Sequence, residues 1–433
     1  MSAGPAAATS NTQDLTSLQR MALRAMSRPS NYGMARRLIV AVSLAITLVC
    51  FTPLKGFAAD ERWVATWGCA AQLVEPLNMP PSPGLTQNTL RQVVHVSIGG
   101  KRLRVRFSNA FANGALTITS VHFALSAGAD AIQSDTDHVL KFQGQTSTAI
   151  PPGEAMLSDP FDFNLAPLTN VAVTVCFGSA PRSITGHPGS RTTSYLLPGD
   201  AAGAVNLPGA AKTQHWYSLT GIDVVAENSS AAVVVLGDSI TDGRGSTTDG
   251  NDRWPDNLAH RFFTNEPSHQ IAVVNEGIGG NAVLAAGLGP PAIGRFDRDV
   301  LEQSGVKWLI VFEGVNDIGA SRDSTVATNL AAAYTKFIDK ARRKGLKIYA
   351  ATITPFGRSQ YSSPAHETAR QTVNDWIRAS GKFDAVIDFD AVVRDPAEPA
   401  TLLPAYDTGD HLHLNPVGYR AMANAIDLNL FNH

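Results

Sequence analysis

From residue 229 onward the chain repeats one rhythm: an apolar run, a polar loop, a helical pattern. Short runs at 232–236, 271–274, 308–312, 347–352 and 385–389 are almost wholly apolar, which predicts strands buried on both faces. Between them apolar residues recur at helical spacing. The clearest case is 325–344, where Val326, Leu330, Ala333, Phe337 and Ile338 share one face. Further helices are predicted over 254–263, 368–379 and 416–430, the last opening on Pro416, a residue tolerated at a helix start. Strands alternating with helices predict an α/β domain over 229–433, with a parallel five-stranded sheet covered on both faces and right-handed crossovers.

Upstream the period changes from helical to two. Residues 90–98, 102–107, 116–125 and 171–177 alternate apolar and polar side chains, as strands do with one face buried and one wet. Proline and glycine cluster between them, so 60–228 is predicted to be a β-sandwich domain. Gly99-Gly100 reads as a hairpin-like turn joining the first two strands. Arg102, Arg104 and Arg106 fall on one strand face, either solvated or in contact with the second domain. Trp63, Trp67 and Trp216 are core aromatics on the plain reading and a sugar-stacking surface on the sharper one. No set of residues in this half looks like an active site.

The first sixty residues change the picture of where the chain works. Residues 1–33 carry no core pattern and read as a disordered extension. Arg36 and Arg37 then precede an apolar run at 38–51, followed by Gly56 and Ala58 at the small positions of a cleavage site. That order predicts a signal peptide over 34–58 and export to the periplasm or beyond, with no stable membrane span after cleavage. Cys69 and Cys176 would remain, as a disulfide or as two buried thiols. A net charge of −2 gives no electrostatic case for nucleic acid.

Polar residues beyond the needs of packing sit in the loops after the strands. Gly237-Asp238-Ser239 follows the first, Asn275 to Asn281 the second, and Gly314-Val315-Asn316-Asp317 the third; Asp410-His411-Leu412-His413 precedes the last helix. In an open parallel sheet all four loops reach one carboxyl edge, where ligands bind. A serine needs a base to take its proton, and a histidine needs a carboxylate to fix its tautomer. Ser239, His413 and Asp410 can fill those places. Asp407 is an alternative carboxylate and His411 a competing base. The Ser239 backbone N–H, the Gly280 backbone N–H and the Asn316 amide are candidate donors to an oxyanion. Asp238 is expected to hold its loop through backbone hydrogen bonds, and 243–252 to be a plain surface loop.

Gly-Asp-Ser-Ile at 237–240, Gly280 after Asn275, Gly-Val-Asn-Asp at 314–317 and Asp-x-x-His at 410–413 resemble the GDSL, or SGNH, hydrolase superfamily. The resemblance implies a flavodoxin-like αβα sandwich. It implies Ser239 as nucleophile and oxyanion donor, Gly280 and Asn316 as the other donors, His413 as base, Asp410 as its orienting partner, and no metal or organic cofactor. Where the family commonly follows the histidine with Pro-Asn, this chain has Leu414-Asn415-Pro416. Trp-Val-Ala-Thr-Trp-Gly at 63–68 and Arg-Phe-Ser-Asn-Ala-Phe at 106–111 resemble an exported branch of xylan-acetylesterase and arylesterase-like members. This suggests a small-molecule or polysaccharide ester as substrate, with short acyl groups; a lipase or lysophospholipase acting on longer chains, or a decayed carbohydrate-binding protein, is the alternative.

Overall fold

A computed structural model describes residues 61–432 apart from Asn228 and Asp323. The proposed extension and signal peptide lie outside the described residues. The five parallel strands are β1 (Ala231–Gly237), β2 (Ile271–Gly277), β3 (Val306–Phe312), β4 (Lys347–Ala351) and β5 (Ala385–Ile387), in the order β2-β1-β3-β4-β5. This is the doubly wound flavodoxin-like order, in which the chain reverses direction across the sheet beside β1. Helices that cover the sheet or start at its carboxyl edge include α1 (Ser239–Asp242), α2 (Trp254–Thr264), α3 (Val315–Ala320), α4 (Val326–Arg343), α5 (Pro364–Ala379) and α6 (Pro416–Asn424).

The apolar runs lack alternation because both faces of the sheet are covered. Val234 and Leu236 face the side where Leu330 and Phe337 of α4 and Val373 and Ile377 of α5 pack. Val233 and Val235 face Leu258 and Phe262 of α2 and Tyr419 and Met422 of α6. Each of these side chains is nearly or fully buried. The last helix is shorter than its apolar pattern predicts: α6 stops at Asn424 and a separate 3₁₀ turn follows at Leu428–Phe431. Likewise the fifth strand ends at Ile387, because Asp388 accepts a bond from the Ala391 N–H and caps a short helix, Phe389–Val393.

The N-terminal region is built of antiparallel sheets. One contains, in order, Trp63–Gly68, Leu219–Val225, Gly100–Ser108 and Phe161–Leu165. The other has Ser194–Pro198, Asn88–His95, Asn170–Ser179 and Leu116–Gly128 as neighbours. Leu103, Val105 and Phe107 of the first and Val121, Phe123, Val173 and Val175 of the second fill a shared core. Gly99-Gly100 is therefore not a hairpin turn. The strands flanking it belong to different sheets, and the two glycines form a corner between them. A Cβ on Gly99 would lie 2.3 Å from the Leu165 carbonyl oxygen, and one on Gly100 2.8 Å from Val224. The local pattern of a hairpin and of a sheet-changing corner is the same; only the partners differ.

Both regions fall in one compact unit, Arg62–His433. The N-terminal sheet covers the outer edge of β2, which an open sheet would leave with unpaired backbone groups. The Val273 N–H donates to Ser97 Oγ at 3.2 Å. The Ala65 N–H donates to the Ser304 carbonyl at 2.9 Å. Arg104 donates to Asp223 at 2.8 Å and to Ser304 Oγ at 3.1 Å, so this arginine contacts the second region. Trp67 and Trp216 are buried and meet edge to face at 5.0 Å, which makes them core aromatics. Cys69 and Cys176 are free, buried thiols. No helix among the described residues is long and apolar enough to cross a membrane.

The corner at Gly99 carries a test. Gly99→Ala places a methyl against fixed backbone and should cost about 1–3 kcal/mol of stability, as overpacking does. A thermal melt identical to that of the parent protein would show that the corner has slack.

Candidate active site

Three strand ends and one distant loop meet at the carboxyl edge of the sheet. β1 ends on Gly237, where a side chain would collide with Thr241: an added Cβ would lie 2.1 Å from its Oγ1. The chain turns there, and Asp238 caps α1, its Oδ1 accepting from the Ile240 N–H at 2.9 Å. Ser239 is thus the first residue of a helical turn, and the first N–H of such a turn has no partner within it. Ser239 Oγ lies 2.8 Å from His413 Nε2. On the other side of that ring, His413 Nδ1 lies 2.6 Å from Asp410 Oδ2. Asp410 Oδ1 accepts from the backbone N–H groups of Leu412 and His413 at 3.0 and 2.8 Å. The three-residue spacing works because the carboxylate closes its own turn and still reaches the ring. Asn415 follows, capping α6 through the Val417 and Gly418 N–H groups. The order Leu414-Asn415-Pro416 thus serves to stop the loop and start the helix.

The environments of the two titratable partners differ. Burial tends to raise the Asp410 carboxyl, but the His413 N–H, the His413 ring and the Leu412 N–H outweigh it and hold the group at about 2. For His413, burial is the largest influence and disfavours the charged ring; Asp410 favours it, and Arg244 and Arg191 push with burial to a lowered pKa. Its pKa lies below the ordinary histidine value, so at neutral pH the ring is largely uncharged, with Nε2 beside the Ser239 hydroxyl.

His411, next door, takes another partner. It adopts a left-handed backbone, and its Nδ1 meets Asp407 Oδ2 at 2.6 Å. Neither residue lines the cleft that holds Ser239. The competing base and the alternative carboxylate thus pair with each other.

The loops after β2 and β3 are laced together beside Ser239. Gly280 has φ +70°, and a Cβ there would lie 2.8 Å from Leu288, so this position requires glycine. Asn316, in the first turn of α3, donates through Nδ2 to the Asn281 carbonyl at 2.7 Å, leaving its second amide hydrogen for another acceptor. Tyr361 Oη donates to Asn316 Oδ1 at 2.9 Å and fixes which way the amide faces. The Asp317 carboxylate accepts from the Val283 and Leu284 N–H groups at 2.8 and 2.9 Å. Ser239, Gly280, Asn316, His413 and Asp410 line a single open cleft of about 510 Å³. It adjoins a mostly apolar hollow of about 370 Å³ lined by Ala282, Leu284, Ala285 and Val326, among others.

Residues 235–421 match the model of the GDSL-like lipase/acylhydrolase family. This half of the chain therefore carries a GDSL-like acylhydrolase domain. The domain is of the carboxylic ester hydrolase class. Solved structures similar to this chain include a GDSL-like lipase from Bacteroides thetaiotaomicron, at 18% identity, covering 48% of this chain and 90% of that one with a TM-score of 0.36. An acetylxylan esterase from Geobacillus stearothermophilus aligns at 20% identity over 48% of this chain and 97% of its own, with a TM-score of 0.36. A search of curated proteins found no match.

Several side chains around the GDSL serine have no signature in the sequence. Arg295, fully buried, donates to the carbonyls of Gly237 and Glu276, to Asn281 Oδ1, and to Asp299 and Glu313. Tyr361 aims Asn316. Arg191, from the half that showed no active-site pattern, and Arg244, from the loop read as plain surface, both line the cleft. His187, also from the N-terminal half, contacts Asp242 of α1 at 2.9 Å through Nε2 and the Ala70 carbonyl at 2.9 Å through Nδ1. Gly189 packs so closely on Asp242 that an added Cβ would lie 1.8 Å from Oδ2. The serine turn is therefore gripped from the N-terminal region.

His187→Leu leaves the buried Asp242 carboxyl without that partner. The expected cost is about 1–3 kcal/mol, read as a drop of several degrees in Tm, with kcat falling as the turn loosens. An unchanged Tm and kcat would show that the grip contributes nothing.

Proposed function

We propose that the chain is an exported serine esterase that cleaves short acyl esters, in particular acetyl esters of carbohydrates, through an acyl-enzyme on Ser239. The observation that carries this reading is the continuous chain of contacts from Ser239 Oγ through the neutral His413 ring to the ionised Asp410, at 2.8 and 2.6 Å, opening onto a cleft. His413 takes the serine proton as Oγ attacks the ester carbonyl, then returns it to the departing alcohol oxygen. A water activated by the same ring releases the acid. Asp410 keeps the tautomer and steadies the imidazolium. The negative oxygen of each tetrahedral intermediate is met by the Ser239 and Gly280 N–H groups and by the Asn316 amide, donors held in place before the reaction; losing one typically costs about 2.7–4 kcal/mol.

The hollow next to Gly280 and Asn316 is the natural seat for the acyl group. Its small side chains, three of them Ala282, Ala285 and Ala286, suit a short chain. The family description, lipase as well as acylhydrolase, favours a second reading, hydrolysis of longer acyl chains that run along this hollow into solvent. Export is inferred from the basic, apolar and small-residue order at 34–58.

p-Nitrophenyl esters from acetyl to palmitoyl separate the readings. The acetyl reading expects kcat/KM to fall steeply beyond about four carbons. Ser239→Ala should lose roughly 10⁴-fold or more of the rate, by analogy with other triads. A rise toward palmitate would replace the acetyl reading with the second one, and full activity in Ser239→Ala would remove both. A second test is pH. Only the neutral ring accepts the serine proton, so kcat/KM should rise with pH to a plateau, along one limb centred below the ordinary histidine value. Asp410, held at about 2, stays ionised throughout. A limb centred above that value would contradict the buried, neutral histidine.

A further inference from the structure

Two arginines line the cleft, and the triad mechanism uses neither. Arg191 arrives from the N-terminal region, just after the strand Thr185–His187. It is not a loose surface side chain. Its backbone sits in the left-handed region at φ 53°, an unusual state for arginine that needs support from its surroundings. That support is visible. Ser190 Oγ donates to the Thr192 carbonyl at 2.9 Å, the Asp249 N–H donates to the Arg191 carbonyl at 2.9 Å, and the Asp249 carboxylate holds Thr193. The Arg191 Nε is buried and has no hydrogen-bond partner among the described residues. Arg244 is anchored through its carbonyl, which accepts from Tyr419 Oη at 2.5 Å. Its side chain is 62% exposed and makes only a long contact, 3.9 Å, with Asp410.

The charge around the cleft is therefore lopsided. Its lining contains two guanidinium groups and a single carboxylate, Asp410, which is already engaged by His413. The chain as a whole carries a net −2, so the local excess of positive charge does not follow from composition. Its position is informative too. Among the described residues, no cation lines the apolar hollow beside Gly280 and Asn316. Both arginines act on His413, and the leaving alcohol must depart beside His413, because that ring protonates it.

We propose that Arg191 and Arg244 form a receptor for an anionic oxygen group, a carboxylate or a phosphate, on the alcohol half of the ester. A guanidinium presents a rigid fork of donors that matches either group. A sugar acid acetylated next to its carboxylate has this form, as does an acylated glycerol phosphate. The proposal rests on the Ser239 esterase reading and adds to it the charge of the substrate.

The test compares matched pairs: a monoacetylated methyl glucuronoside against its uncharged carboxamide, and monoacetyl glycerol phosphate against monoacetylglycerol. A hydrogen bond to a charged group contributes about 1.5–3 kcal/mol, so the charged member of at least one pair should be preferred by roughly tenfold or more in kcat/KM. The preference should shrink in Arg191→Gln and Arg244→Gln, persist in part in Arg191→Lys, and weaken with added salt. Preference confined to the first pair assigns a sugar carboxylate, and preference confined to the second a phosphate. Equal rates within both pairs, with Ser239-dependent turnover intact, overturn the receptor and leave the esterase reading standing. If no substrate shows Ser239-dependent turnover, that reading fails. Calorimetry of methyl glucuronoside and glycerol phosphate with the Ser239→Ala protein then decides the receptor: binding lost in Arg191→Gln supports it, and no binding overturns it.

Discussion

One buried guanidinium holds the site together. Arg295 donates to the carbonyl at the end of β1 and to one near the end of β2, to the Glu313 carboxylate just after β3, and to the side chain of Asn281 in the loop between. Ser239, Gly280 and Asn316 each follow one of those strand ends. Their spacing is therefore set by a single rigid planar group and not by three independent loops. An arginine suits this because its five donors point in fixed directions and its charge persists when buried. At the Gly237 carbonyl, which also accepts from the Ile278 N–H, it adds a second donor at the edge of a dry sheet.

The same logic explains why the N-terminal region cannot be treated as a mere appendage. It covers the exposed edge of β2 through Ser97, reaches the turn before β3 through Ala65, grips the serine turn through His187 and Gly189, and delivers Arg191 into the cleft. A parallel sheet with its site at the carboxyl edge leaves one flank of that site open beside the first two strands. Here the antiparallel sheets close it. Specificity toward the alcohol half of an ester can then evolve on a different scaffold from the one that holds the chemistry, as sites grafted on folds do.

What was legible in the sequence was what short range determines. Buried parallel strands announce themselves as unbroken apolar runs, and their loops as the only polar text between them. So the serine, glycine, asparagine and histidine blocks could be assigned to one edge before any geometry was known. Which carboxylate serves His413 was harder, and the answer lay in turn closure: Asp410 closes the turn that carries the ring, while Asp407 takes His411. Arg295, Tyr361, His187 and Arg191 were not legible. Each lies in a stretch with no motif, and each acts through a contact set by long-range packing, 55 residues in the case of His187 and Asp242. The Gly99 corner failed for a related reason, since local pattern does not say whether the next strand joins the same sheet.

The carboxyl groups around the serine fall into two classes, and burial divides them. Asp238, Glu276, Glu313 and Asp317 lie behind or beside the turn. Burial pushes all four upward, Asp238 to about 7 and Glu276 and Glu313 well beyond the carboxylate range, with neighbouring acids adding to the push for Asp238, Glu276 and Glu313. Asp410 stands at the solvent edge among N–H donors and stays ionised. Had the inner acids been charged, their field would oppose an oxyanion forming above them, in a medium too dry to screen it. Burial and mutual repulsion disfavour that charge, and the oxygens serve as hydrogen-bond acceptors, Asp238 from the Ile240 N–H and Asp317 from the Val283 and Leu284 N–H groups. Asp410, held ionised, lies against the His413 ring, a separation of acids by environment that pairs of carboxyl groups show elsewhere.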